Sequence, residues 1–195
     1  MTGGRTVFLA LDGCHGTGTS THADALAEAL RAEHFAAAAF HHPRHPDGLS
    51  GLARVAWYAG ARAQLAAHPP APVVVMDRGP MSGVAHAASV TGRGKAERED
   101  AALRDVWEWM RRGMRFAVLD AADEALDARL TSRGEAPAAA HPERRAWRAV
   151  ATAVSRPELP DVVRFPVVDT GRPVDAVRAE LLAWALGVLR ERTGL

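Results

Sequence analysis

A chain of 195 residues with 48% hydrophobic side chains has the size and apolar content of one domain with a packed core. A net charge of +1 excludes the strong one-signed field that binding to nucleic acid or an anionic membrane requires. The single cysteine, Cys14, excludes an internal disulfide, and with no secretory leader or membrane-length apolar run the expectation is a cytoplasmic protein.

In chain order, the apolar run Val7 to Leu11 predicts a buried central strand. A glycine-rich turn follows and opens an alanine-rich helix over His22 to Ala32. Phe35 to Phe40 reads as a second strand, weak because alanine is a poor strand former, and His41 to Gly48 reads as a proline loop. Leu49 to Ala67 is helical and ends before Pro69-Pro70. Val73 to Met76 is a third strand, Pro80 starts a helix toward Val90, and Thr91 to Lys95 is a turn. Glu97 to Arg112 is helical, Arg115 to Leu119 a fourth strand, and Asp123 to Arg133 a helix. Gly134 to His141, built mostly of small residues with one glycine and one proline, reads as flexible. Pro142 to Ser155 is helical, Val162 to Val168 a last strand and Pro173 to Arg192 a terminal helix. The alternation predicts a three-layer α/β fold over residues 1–195, a five-stranded parallel sheet flanked by helices, with Val7–Leu11 central.

Strand, glycine loop and helix is the setting of a phosphate-binding loop. Gly13, Gly16 and Gly18 let backbone N–H groups converge on an anion, and the helix adds the positive end of its dipole. Gly13 and Gly18 keep the spacing of G-x-x-x-x-G-K-[ST], with Ser20 and then Thr21 after it, and Ser20 stands at the hydroxyl position that holds Mg²⁺. Thr19 stands at the lysine position. A charge-assisted hydrogen bond is worth about 1.5–3 kcal/mol, so a loop with threonine there retains nucleotide binding while chemistry slows. The alternative is a glycine turn with no ligand.

The order of the pieces resembles thymidylate kinase, a nucleoside monophosphate kinase family with a phosphate-binding loop, over nearly the whole chain. Asp12 stands where the family usually has glutamate, and His15 where an acid near the acceptor sugar is usual. Pro43-Arg44-His45-Pro46-Asp47-Gly48 is similar to the family's Arg-Glu-Pro-Gly-Gly loop, Ala61-Arg62-Ala63-Gln64 to its Asp-Arg-Ala-Gln, and Asp77-Arg78 with Ser82 to its Asp-Arg-Tyr and following serine. His86 stands where a later tyrosine is usual. Arg129-Leu130-Thr131-Ser132-Arg133-Gly134 keeps the start of the family's lid, here about 133–145, but its Asp-Arg-x-Glu run is absent, and Arg144 or Arg145 is left to take the arginine role.

The resemblance implies ATP and Mg²⁺ as co-substrate and metal. Gly13, His15, Gly16, Gly18, Thr19, Ser20 and Thr21 then hold the donor, and Ser20 with Asp77 positions the metal. Arg44, Arg62, Arg78 and Ser82 hold the phosphorylated acceptor, while Arg133, Arg144 and Arg145 join Asp77 at the transferring group. It also implies a homodimer through helices in the middle of the chain. Against each stands a plainer reading: Arg44 as a solvated loop residue, Arg62 as an exposed helix residue, Arg144 and Arg145 as a solvated helix start. His41, His42 and His45 suggest a metal cluster by spacing, but lack a second ligand set nearby in sequence. Trp107, Trp109 and Trp147 read as core and interface, and Cys14 as a tolerated loop residue.

Two functions of different class follow. One is ATP- and Mg-dependent phosphoryl transfer to a nucleoside monophosphate or related phosphorylated acceptor. The other is nucleotide binding with little or no turnover, motivated by Thr19, His15 and the altered lid. A relocated cation such as Lys95 or a lid arginine is the feature that separates them.

Overall fold

The computed structural model describes residues 6–49, 51–90, 92, 94–137, 142–155 and 165–193. The chain forms five strands, β1 (Val7–Gly13), β2 (Ala37–His41), β3 (Val73–Asp77), β4 (Arg115–Asp120) and β5 (Val167–Asp169). Seven helices accompany them among the described residues. They are α1 (Thr19–Ala32), α2 (Gly51–Ala67), α3 (Met81–Ser89), α4 (Lys95–Arg111), α5 (Asp123–Ser132), α6 (Pro142–Val154) and α7 (Val174–Thr193). All strands are parallel, in the order β2-β3-β1-β4-β5.

The expected central strand is central. β1 is buried along its whole length because helices cover both faces of the sheet. The twofold alternation of a strand sends Phe8 and Ala10 into one core with Val106, Trp109, Phe116 and Trp147. It sends Val7, Leu9 and Leu11 into the other, with Leu26 and Leu30 of α1 and Val177, Leu181 and Leu189 of α7. A fully buried leucine such as Leu9 or Leu11 contributes about 1.5–3 kcal/mol of transfer free energy.

Several boundaries differ from expectation for local reasons. α1 begins at Thr19, three residues before His22, because Gly18 at φ 81° ends the loop in a left-handed cap. His41, expected in the loop, closes β2 opposite Asp77. β5 starts only at Val167, since Pro166 has no N–H for the ladder, although its carbonyl still accepts from Val118 N–H at 2.9 Å. Val162, expected as the start of that strand, lies outside the described residues, as do Thr91 and Arg93 of the expected glycine turn. Residues 134–137 are exposed and outside helix and strand, and the remainder of the segment to His141 lies outside the described residues. Trp109 and Trp147 are core, but Trp107 is 57% exposed on α4.

The parallel topology puts the carboxyl ends of β1, β2 and β3 side by side, with Leu11 opposite Asp77 and Asp77 opposite His41. In an open parallel sheet this edge, at a switch in strand order, is where side chains converge on ligands.

Candidate functional site

The turn after β1 is closed from within. Thr17 is buried, and its hydroxyl and N–H both donate to the Cys14 carbonyl, at 2.8 and 3.3 Å. Gly13 has no room for a side chain: a Cβ there would lie 2.6 Å from both Leu119 O and Thr17 Oγ1. Gly16 at φ 87° and Gly18 at φ 81° adopt the backbone that glycine alone adopts freely. No side chain caps the start of α1, so the N–H groups of its first turn are left for water or an anion.

Beneath that helix start, Ser20 Oγ donates to Asp77 Oδ2 at 2.6 Å. His41 Nδ1 contacts the same oxygen at 3.1 Å, and its Nε2 contacts Asp24 Oδ1 at 2.9 Å. Two carboxylate partners, Asp77 first, raise the His41 pKa above its ordinary value. Burial works against ionisation of Asp77, but hydrogen bonds from Ser20, His41 and Thr19 hold its carboxyl below the usual range. Asp77 Oδ1 is buried without a hydrogen-bond partner.

Asp12 lies one layer deeper and is fully buried. Its Oδ1 accepts from Gly79 N–H at 2.9 Å, Ser82 N–H at 3.0 Å and Ser82 Oγ at 2.6 Å, which ties β1 to the turn after β3. Burial raises the Asp12 pKa in spite of those donors. Ser82, expected to touch substrate, lines the adjoining cleft and donates a hydrogen bond from its hydroxyl to Asp12.

Beside this edge opens a cleft of about 240 Å³. Arg54, Val55, Tyr58 and Arg62 of α2 form one wall, and Asp77, Arg78, Gly79, Ser82, Gly83 and His86 form another. His15 and Glu143 also line it. Arg78 holds φ 66°, uncommon outside glycine, while its N–H donates to Leu11 O at 2.9 Å and its carbonyl contacts His42 Nε2 at 2.8 Å. Burial pushes the His42 imidazole down to about 4.

The expected arginines separate. Arg62 and Arg78 reach the cleft. Arg62 is not the exposed helix residue of the plainer reading: it is buried in an ion pair with Asp105 of α4. Arg44 is 87% exposed and pairs with Asp47 in its own loop. Arg133 pairs with Glu135 and is half exposed, and Arg145 is exposed. Arg144 is neither solvated nor at the loop opening: it is 5% exposed and donates to Asp123 at 2.8 Å, to Asp120 and to the Ala121 carbonyl, with Cys14 Sγ 3.5 Å away. Burial raises the pKa of the Cys14 thiol, so it stays protonated. Lys95 pairs with Glu99 on α4. The three histidines disperse, and no metal-ligating cluster of His, Cys, Asp and Glu exists among the described residues.

Sequence reasoning missed four contributors. Arg54 and Tyr58 stand eight and four positions before Arg62, a spacing that places all three on one helix face and was a readable signal. Arg129 donates to Gly16 O at 3.2 Å and to Thr170, which braces the turn from behind. Glu143 accepts from His86 Nδ1 at 2.9 Å, and no local pattern announced it.

No protein-family model matches the chain, and no curated protein sequence matches it.

Proposed function

We propose that the chain transfers the γ-phosphoryl group of ATP to a nucleoside monophosphate or a related phosphorylated acceptor, in the manner of thymidylate kinase. The observation that carries this reading is the Ser20–Asp77 hydrogen bond, a hydroxyl at a helix start locked to a strand-end carboxylate. Gly13, Gly16 and Gly18, with the uncapped first turn of α1, support a donor-phosphate cradle there, with His15, Thr19 and Thr21 around it. Arg78, Arg62 and Arg54 in the adjoining cleft support an acceptor phosphate.

The residues fit Mg²⁺. Asp77 is ionised, its Oδ1 is orphaned, and Ser20 supplies a neighbouring oxygen, a donor set of the hard type that Mg²⁺ shares with phosphate oxygens. Held by Asp77 and Ser20, Mg²⁺ would supply positive charge that offsets the charge developing on the phosphates. The chain's own contribution is positioning and charge: Asp77 and Ser20 orient the donor side, and Arg78 fixes the acceptor in line. No protein nucleophile takes part. Leu103 and Trp107 expose apolar surface on α4, which favours a homodimer through the middle helices as part of the same reading.

The second reading is a nucleotide-binding protein with little or no turnover. Thr19 favours it, since a neutral side chain, 6% exposed, stands at the lysine position. Arg144 favours it too, being tied up by Asp120 and Asp123.

Nucleoside mono- and triphosphates with and without Mg²⁺, followed by thermal stabilisation and by ADP release, test both. ADP release that requires Mg²⁺ and an acceptor is the expected result. Stabilisation by nucleotide without ADP release selects the second reading, and neither signal overturns both.

A further inference from the structure

Charged and polar side chains line much of the cleft. Here Val55 is the sole aliphatic side chain among the described lining residues. Glu143 adds a carboxylate beside the arginine that the proposed function assigns to the acceptor phosphate.

That carboxylate is held in place and held charged. Arg144, the next residue, is clamped by Asp120, Asp123 and the Ala121 carbonyl, which fixes the start of α6. The Glu143 side chain is 16% exposed and that of His86 is 18% exposed. Burial opposes its charge, but the hydrogen bond from His86 and the positive charges of His86, Arg78 and His15 keep its pKa below the ordinary carboxylate value.

An ionised carboxylate only accepts hydrogen bonds, and the His86 contact uses one of its roughly four lone-pair sites. A ligand entering the cleft strips water from the rest. If the ligand presents no donor, a half-buried charge loses hydration with nothing in return. An ammonium donor would be opposed by the Arg78 guanidinium. A neutral hydroxyl meets both demands.

The geometry points to Glu143, positioned by His86, as the specificity-determining residue of this cleft, selecting phosphorylated acceptors that carry free hydroxyls near the phosphate, such as sugar phosphates and nucleotides with unblocked sugar hydroxyls. This rests on the cleft being the acceptor site of the proposed phosphotransferase. Arg78 takes the phosphate, Glu143 takes a hydroxyl proton in a hydrogen bond, and no bond is made or broken in recognition.

Calorimetric titration of the full chain, without ATP, with ribose 5-phosphate, n-pentyl phosphate and inorganic phosphate tests the inference. Ribose 5-phosphate is expected to bind at least about tenfold tighter than pentyl phosphate, the scale of one hydrogen bond to a charged group. Glu143→Ala is expected to abolish that preference while inorganic phosphate binds as before. Glu143→Gln, which keeps size and an acceptor oxygen, is expected to retain about a threefold preference and serves if the alanine variant does not fold. Equal or tighter binding of pentyl phosphate, a preference that survives both substitutions, or no binding by any probe overturns the inference. Parallel titration with ATP and Mg²⁺ separates the two readings. Lost ATP binding with the sugar-phosphate preference intact overturns the kinase and leaves the cleft's specificity standing. ADP release in an acceptor panel without the preference does the reverse.

Discussion

Ser20 Oγ and Asp77 Oδ2 lie 2.6 Å apart, although 57 positions separate the residues in the chain. Thr19, at the preceding position, helps hold the same carboxyl below its usual range. The start of α1 and the end of β3 are thus one polar unit, and a change at position 19 is felt at Asp77.

Thr19→Lys should therefore raise turnover by about tenfold or more while ATP affinity stays within roughly threefold. The glycine turn and helix dipole already serve ground-state binding, and the added charge counts where charge moves onto the leaving phosphate. Steady-state rates with an ATP titration check this. If Arg133 or Arg145 swings from its present exposed position to that volume instead, Thr19→Lys is neutral or harmful and Arg133→Ala or Arg145→Ala abolishes activity. Zero turnover for the parent, Thr19→Lys and both arginine variants with every nucleotide leaves the binding-protein reading.

Arg78→Ala should weaken acceptor binding by about tenfold or more and change ATP binding little, because its fork lines the cleft rather than the glycine turn. The backbone at φ 66° adds a second expectation. Arg78→Gly should be more stable than Arg78→Ala by about 1 kcal/mol, since glycine takes that conformation without strain. Separate titrations of donor and acceptor and urea unfolding of the two variants decide these points.

His42 should make the fold acid-sensitive. Its folded-state pKa of about 4 lies below the ordinary 6.5, so the unfolded chain binds the extra proton between those values. The stability it contributes is complete above pH 6.5 and is lost as pH falls toward 4, by about 2–3 kcal/mol. Urea unfolding from pH 4 to 8 should show this slope in the parent and a shallower one in His42→Gln. Parallel slopes would place the acid sensitivity elsewhere.

Gly79→Ala should destabilise by about 1–3 kcal/mol through overpacking. An added Cβ would sit 2.6 Å from Ala10 Cβ and 2.7 Å from Asp12 Oδ2, and would press on the carboxylate that ties β1 to the turn after β3. Gly60→Ala is the matched control: nothing lies within 4 Å of its added Cβ on α2, so it should stabilise by about 0.5–1 kcal/mol through helix propensity. Equal effects at both sites would contradict the packing argument.

Hydrophobic periodicity and glycine placement are local properties, so the sequence by itself determined the strand–helix alternation, the buried central β1 and the glycine turn before α1. It also singled out Ser20, Asp77 and Arg78, because residues at the end of an apolar run are tied to the sheet edge by the run itself. What it left open are pairings between distant segments. Arg144 had the same local look as Arg145, a charge at a helix start, yet one is buried and the other exposed. Which guanidinium goes inside depends on Asp120 and Asp123 arriving from β4 and α5, over 20 positions away in the chain. Arg62 was settled by Asp105 in the same way, and Glu143 entered the cleft only because α6 packs against α3 and brings it to His86. A charged side chain is buried only where its partner is also brought, and that coincidence is a property of the tertiary structure alone.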